Sequence, residues 1–102
     1  MKDEVLSMLG ICKKAGKTVS GEKLIEEARK GKVAFVVIAA DASDNSVKKI
    51  TAPLGRLHID YRKYGTKEDL GDATGASLRS SVGITDEGLA LSVKKKIDAA
   101  MA

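Results

Sequence analysis

The sequence has no tryptophan, one phenylalanine and two tyrosines. A core must therefore be aliphatic, and a surface that stacks several exposed bases in a row is argued against. Cysteine is equally scarce. Cys12 stands alone, so no disulfide framework can form within the chain, and a reducing, cytoplasmic setting is expected. His58 is the only histidine, which excludes a Cys/His zinc site, and no other metal or cofactor set is recognised. No apolar run reaches the ~18 residues that a membrane span needs, so no membrane partner is expected. The opening MKDEVLSM carries two acids and no long apolar run, unlike a secretory leader.

What is present is a 102-residue chain with 43% apolar residues, enough for one domain over 1–102 with a serviceable core. Lys and Arg number 18 against 14 acids, for a net charge of +4. This mild excess makes nucleic acid a live partner without proving it.

Periodicity divides the chain into alternating elements. Val5, Leu6, Leu9, Cys12 and Ala15 share one face of a helix over 3–15 that Gly16 ends. Residues 17–19 make a very short strand. Ser20 reads as the N-cap of a second helix, carrying Leu24, Ile25 and Ala28 and stopping near Gly31. VAFVVIAA, 33–40, is a strand covered on both faces. A turn follows at Asp41–Asn45, then a helix from SVKKI that Pro53 ends or kinks. LHIDYR, 57–62, reads as a strand. Thr66 with Asp69 opens a short helix closed by Gly75. SSVGI, 80–84, is a strand of small residues. Thr85 caps a last helix with Leu89, Val93 and Ile97 on its apolar face, and KKKIDAAMA is expected to fray. Alternation of this kind implies a sheet with helices on both faces.

Few stretches suggest chemistry. AGKTVSGEKL, 15–24, approaches a phosphate loop in two registers and satisfies neither. Glu22-Lys23 follows Gly21 where Lys-Ser/Thr is required, and Gly10 lies one residue too far from Gly16. What remains is a helix start at Ser20-Gly21 whose N–H groups attract anions, ringed by Lys13, Lys14, Lys17 and Lys23. The same residues also describe an ordinary capped helix with solvated lysines, with Lys23 paired to Glu27. In GASLRSSVG, 75–83, Leu78 could cover an unstacked base while Arg79 takes a phosphate; a plain surface loop is the alternative. His58 lacks a Ser or Cys partner at a catalytic spacing and is read as structural. Asp41 and Asp44 are read as capping residues, Cys12 as buried and inert, and Lys94–Lys96 as a solvated helix face.

Four stretches carry a family resemblance: LGICKKAGKTVSGEKLIEEARKGKV, VVIAADASDNSVKKI, KEDLGDATG and VGITDEGLA. In their order and spacing, residues 3–97 resemble the kink-turn-binding ribosomal protein superfamily, the L-seven-Ae / L-thirty-e group, and its small bacterial YlxQ-type members in particular. The resemblance implies a three-layer α/β/α sandwich with a four-stranded mixed sheet and about five helices. It implies RNA binding through a Gly-rich helix start, here 17–27, and a loop over extruded bases, here 76–80. Many members carry Asn-Glu or Lys-Gln where this chain has Lys23-Leu24, and a lysine where it has Glu27.

The expected function is a small, non-enzymatic, monomeric, cytoplasmic RNA-binding protein acting on structured, kink-turn-like RNA and associated with ribosomes. Ser20 and Gly21 present N–H groups to phosphate. Lys17 and Lys23 neutralise charge, with Lys23 also facing base edges. Leu78 covers a flipped base, Arg79 clamps backbone, and Lys14 is an outer contact. Loss of polar readers at Leu24 and Glu27 keeps open a protein-interaction adaptor on the same fold.

Overall fold

The apolar run at 33–40 becomes the centre of the molecule. A computed structural model describes residues 3–101. Met1 and Lys2, where the leader reading begins, and Ala102 lie outside the described residues. The elements in order are α1 (Glu4–Lys14), β1 (Thr18–Val19), α2 (Glu22–Arg29), β2 (Phe35–Ile38), α3 (Asp44–Arg56), β3 (Tyr61–Lys63), α4 (Lys67–Ala73), β4 (Ser81–Ile84) and α5 (Glu87–Met101). The sheet runs β1-β4-β2-β3, with β2 parallel to β3 and both other pairs antiparallel.

All four residues of β2 are buried, and successive side chains point to opposite faces. Phe35 and Val37 join Leu9, Cys12, Leu70, Val93 and Ile97, so α1, α4 and α5 cover one face. Val36 and Ile38 join Leu24, Ala28, Ile50 and Leu54, so α2 and α3 cover the other. The three-layer mixed sandwich implied by the family resemblance is the observed architecture. No helix among the described residues is long and apolar enough to cross a membrane.

Several boundaries differ from the sequence reading. The N-cap of α2 is Gly21, not Ser20. Pro53 neither ends nor shortens α3, which continues to Arg56. The proline forfeits only the bond to the carbonyl of Lys49, an exposed residue whose backbone water can reach. Asp86, not Thr85, caps α5, because its carboxylate accepts the Leu89 N–H at 2.9 Å while the Thr85 N–H donates to Lys17 across the sheet. α5 remains helical to Met101. The strand expected over 57–62 is confined to Tyr61–Lys63, since residues 57–59 close the preceding helix.

That closure recurs. α1, α2 and α4 each end with the paired backbone bonds of a Schellman motif, and Gly16, Gly31 and Gly75 take the left-handed position. α3 ends with the same pair of bonds, Ile59 N–H to Leu54 O and His58 N–H to Gly55 O, but His58 holds the left-handed position at φ 57°. His58 is therefore on a helix cap, not a strand. His58→Gly is expected to raise the unfolding free energy by ~1 kcal/mol. Urea denaturation reads this directly, and an unchanged or lower stability would contradict it.

The start of α1 is tied to the sheet by the Asp3 carboxylate, which accepts from Leu6 N–H at 3.0 Å and from the Tyr64 hydroxyl at 2.6 Å. Partial burial pushes the Asp3 carboxyl up, but hydrogen bonds from Tyr64, Leu6 and Val5 together hold it below its ordinary 3.8. The same bond, with burial and the Asp3 charge, raises Tyr64 from 10.0 to about 12. The Asp3 contribution is present above pH 3.8 and is lost as pH falls through its depressed value; the Tyr64 contribution is present below pH 10.0 and is lost as pH rises through about 12. Tyr64→Phe is expected to cost ~1 kcal/mol near neutrality. The gap between the two proteins should narrow at both pH extremes, and a gap independent of pH would contradict this account.

Candidate nucleic-acid interface

Strand register decides which residues meet. β1 runs antiparallel to β4, with Val19 opposite Gly83, so the chain leaves β1 beside the start of β4 and α2 begins there. β2 ends at the same place, with Ile38 opposite Ser81. The loop between α4 and β4 therefore arrives next to the first turn of α2.

Between these segments lies a cleft of about 210 Å³ lined by Lys13, Thr18, Val19, Ser20, Lys23, Thr74, Arg79 and Val82. Val82 is its apolar floor. Three cations from three separate elements reach it, and no acid lines it. Among the described residues, no carboxylate lies within 4.0 Å of Lys13, Lys23 or Arg79. The pairing of Lys23 with Glu27 does not form; Glu27 turns to Lys30 at 3.7 Å and Lys32 at 4.0 Å. The charged lining groups are donors only, so the cleft suits an acceptor-rich anion such as a phosphate.

Gly21 shapes the rim. Its φ of 68° and ψ of −147° belong to a region that glycine alone adopts readily, and nothing lies within 4 Å of where a Cβ would stand. No side chain caps α2. Its Leu24 N–H donates to Gly21 O at 3.1 Å, no side chain among the described residues accepts from the Glu22 or Lys23 N–H, and Glu22 is exposed outside the cleft. Leu24 is fully buried, because Gly83 on β4 leaves room for it: a Cβ there would stand 3.2 Å from Leu24 Cγ. Leu24 thus anchors the helix start to the sheet and is no part of the exposed rim.

Ser20, Lys23 and Arg79 line the cleft as a group, and Gly21 borders it. Leu78 stands beside Arg79 on the loop with 57% of its surface exposed. Lys14 and Lys17 are exposed but do not line it; the Lys17 carbonyl accepts from Thr85, past the opposite end of β4. Selecting Lys14 over Lys13 missed a lining residue. Nothing in the sequence separates the two lysines, which both follow Gly10 by about one helical turn. Lys13 lines the cleft together with Thr74, and Lys14 does not. Thr18 and Thr74 were also missed, and Thr74 Oγ1 donates to Leu70 O at 2.7 Å.

The remaining candidates resolve as structural. Asp41 Oδ1 accepts the Lys67 N–H at 2.8 Å and so supports the start of α4, whose N-cap is Thr66, while Ser43 and not Asp44 caps α3, Asp44 being its first helical residue. Cys12 is buried in the core, and burial pushes its thiol up and away from reactivity. Lys94 pairs with Asp60 at 2.7 Å.

Comparison with known proteins bears on the family and the fold. The model of the ribosomal protein L7Ae/L30e/S12e/Gadd45 family matches residues 3–94. The chain belongs to that family. It is 36% identical to the RNA-binding protein YlxQ of Bacillus subtilis (strain 168), over 85% of this chain and 88% of that one. It is 28% identical to the RNA-binding protein YlxQ of Enterococcus faecium, over 95% and 94%. A solved structure of a Bacillus halodurans protein of unknown function superposes with a TM-score of 0.90 at 28% identity, covering 95% of this chain and 99% of that one. The fold also matches a Giardia lamblia 15.5 kD RNA-binding protein, with a TM-score of 0.76 at 20% identity over 97% and 92%.

Gly21→Ala is expected to destabilise the chain by ~1–3 kcal/mol through backbone strain alone, since no neighbour would clash with the new methyl. Chemical denaturation measures it, and a neutral substitution would show that the rim tolerates another backbone path.

Proposed function

We propose that this chain is a small cytoplasmic RNA-binding protein that takes structured, kink-turn-like RNA at the Lys13–Lys23–Arg79 cleft, acts as a monomer and works with ribosomal RNA. The carrying observation is the cleft itself: three cations converge without an acid beside an exposed loop leucine. Two YlxQ relatives named as RNA-binding proteins support the reading. Lys13, Lys23 and Arg79 neutralise phosphate, and the uncapped N–H groups at the start of α2 add donors. Lys23 also reaches base-edge acceptors. Leu78 covers an unstacked base, a contact that needs no aromatic ring. Lys14 and Lys17 add long-range attraction from outside the cleft. The reading requires no catalytic step.

A protein-interaction adaptor is the second reading. The observation that favours it is Leu91, 52% exposed beside a groove lined by Phe35, Asp60, Glu87 and Lys94.

Salt separates the two. Binding to a kinked RNA should weaken steeply between two salt concentrations and should exceed binding to a matched duplex. Lys23→Ala should cost ~1–3 kcal/mol if Lys23 reads a base, and should flatten the salt slope by about one charge if it meets only phosphate. Unchanged affinity and slope would remove Lys23 from the interface. Equal, weak binding to both RNAs would leave only a general basic face.

A further inference from the structure

The loop that carries Leu78 and Arg79 does not hang free. It folds back along α4 and is tied at two points. The Ala76 N–H donates to Gly71 O at 2.8 Å, and the Arg79 N–H donates to Lys67 O at 3.0 Å. The loop therefore retraces α4 from its last turn to its first residue. Gly71 lies under the middle of that path. A Cβ placed on Gly71 would stand 2.5 Å from Ser77 O, 2.7 Å from Ser77 C and 2.9 Å from Leu78 N. These are backbone atoms, which cannot step aside as a flexible side chain would.

Gly71 sits inside a seven-residue helix, where glycine weakens helix formation. Its backbone takes no left-handed conformation, unlike Gly75 four residues later. The reason for glycine at 71 is thus space, and the group occupying that space is the loop backbone immediately before Arg79.

We propose that Gly71 is a positioning residue for the RNA interface: its missing side chain lets the Ser77–Leu78 backbone lie on α4, and this seating holds Arg79 at the cleft. The inference rests on the RNA-binding reading above. Gly71 touches no ligand itself. A side chain at 71 lifts the loop, breaks or stretches the Arg79–Lys67 bond, and withdraws one of the three cations while the sheet and both core clusters stay intact.

The test is a double-mutant cycle on the full chain, read by titration with a kinked RNA at two salt concentrations, with circular dichroism and melting as the check on folding. Arg79→Ala should weaken binding about tenfold and lower the salt slope by about one. Gly71→Ala should do the same with Arg79 present, and should cost distinctly less in the Arg79→Ala background, where only the Leu78 contact is left to lose. A role confined to stability would lower the melting point without such coupling. The inference is overturned if Gly71→Ala binds as tightly as the native chain, or if its loss persists undiminished without Arg79. If Arg79→Ala alone changes nothing, the cleft reading falls first and the inference falls with it. Should Gly71→Ala fail to fold, one glycine inserted between Ala76 and Ser77 raises the loop with α4 unaltered, and loops tolerate such insertions. The same loss and the same coupling are expected, and native affinity in that variant would overturn the inference.

Discussion

The structure depends on the burial of Phe35–Ile38. Its side chains face two apolar layers, so its backbone donors and acceptors have no water to turn to. They are met by β4 on one side and β3 on the other. That demand requires a strand on each side, and the apolar side chains on both faces require helices over each. It also ends β2 next to the start of β4, so the first turn of α2 and the loop after α4 open at one end of the sheet. The cleft lies at that end of the sheet.

Small residues then set the finer spacing. Gly83 admits Leu24 against the sheet and so fixes where α2 starts, and Gly71 seats the loop. Each trades local helix or strand preference for a close approach. Viewed this way, Leu24 is a packing residue, and in the proposed reading recognition falls to the donors around the cleft. Lys23 is the exposed residue of that turn that lines the cleft, while Glu27 is occupied by Lys30 and Lys32 farther along the helix.

Much of this was legible in the sequence. The order of nine elements follows from periodicity, because the helical faces and the apolar run are unambiguous. Boundaries were harder where two candidates compete at adjacent positions, as with Ser20 and Gly21 or Thr85 and Asp86. His58 was misplaced because a left-handed cap without glycine leaves no compositional mark. In the cleft, Ser20, Lys23 and Arg79 could be picked out because they flank glycine-marked turns. Lys13 could not be preferred to Lys14 from charge alone, since the face of α1 that meets α4 is set by tertiary packing. The contact of Gly71 with Ser77 was invisible for the same reason, although the two residues lie close in sequence.

The most direct test of the central claim is a map of backbone amide shifts while a kinked RNA is titrated into the isotopically labelled protein. The account predicts changes concentrated at Lys13, Ser20–Lys23, Thr74 and Leu78–Arg79, with Leu91 and the Asp60–Lys94 side undisturbed. Changes centred on Leu91, or spread evenly over the basic surface, would contradict it.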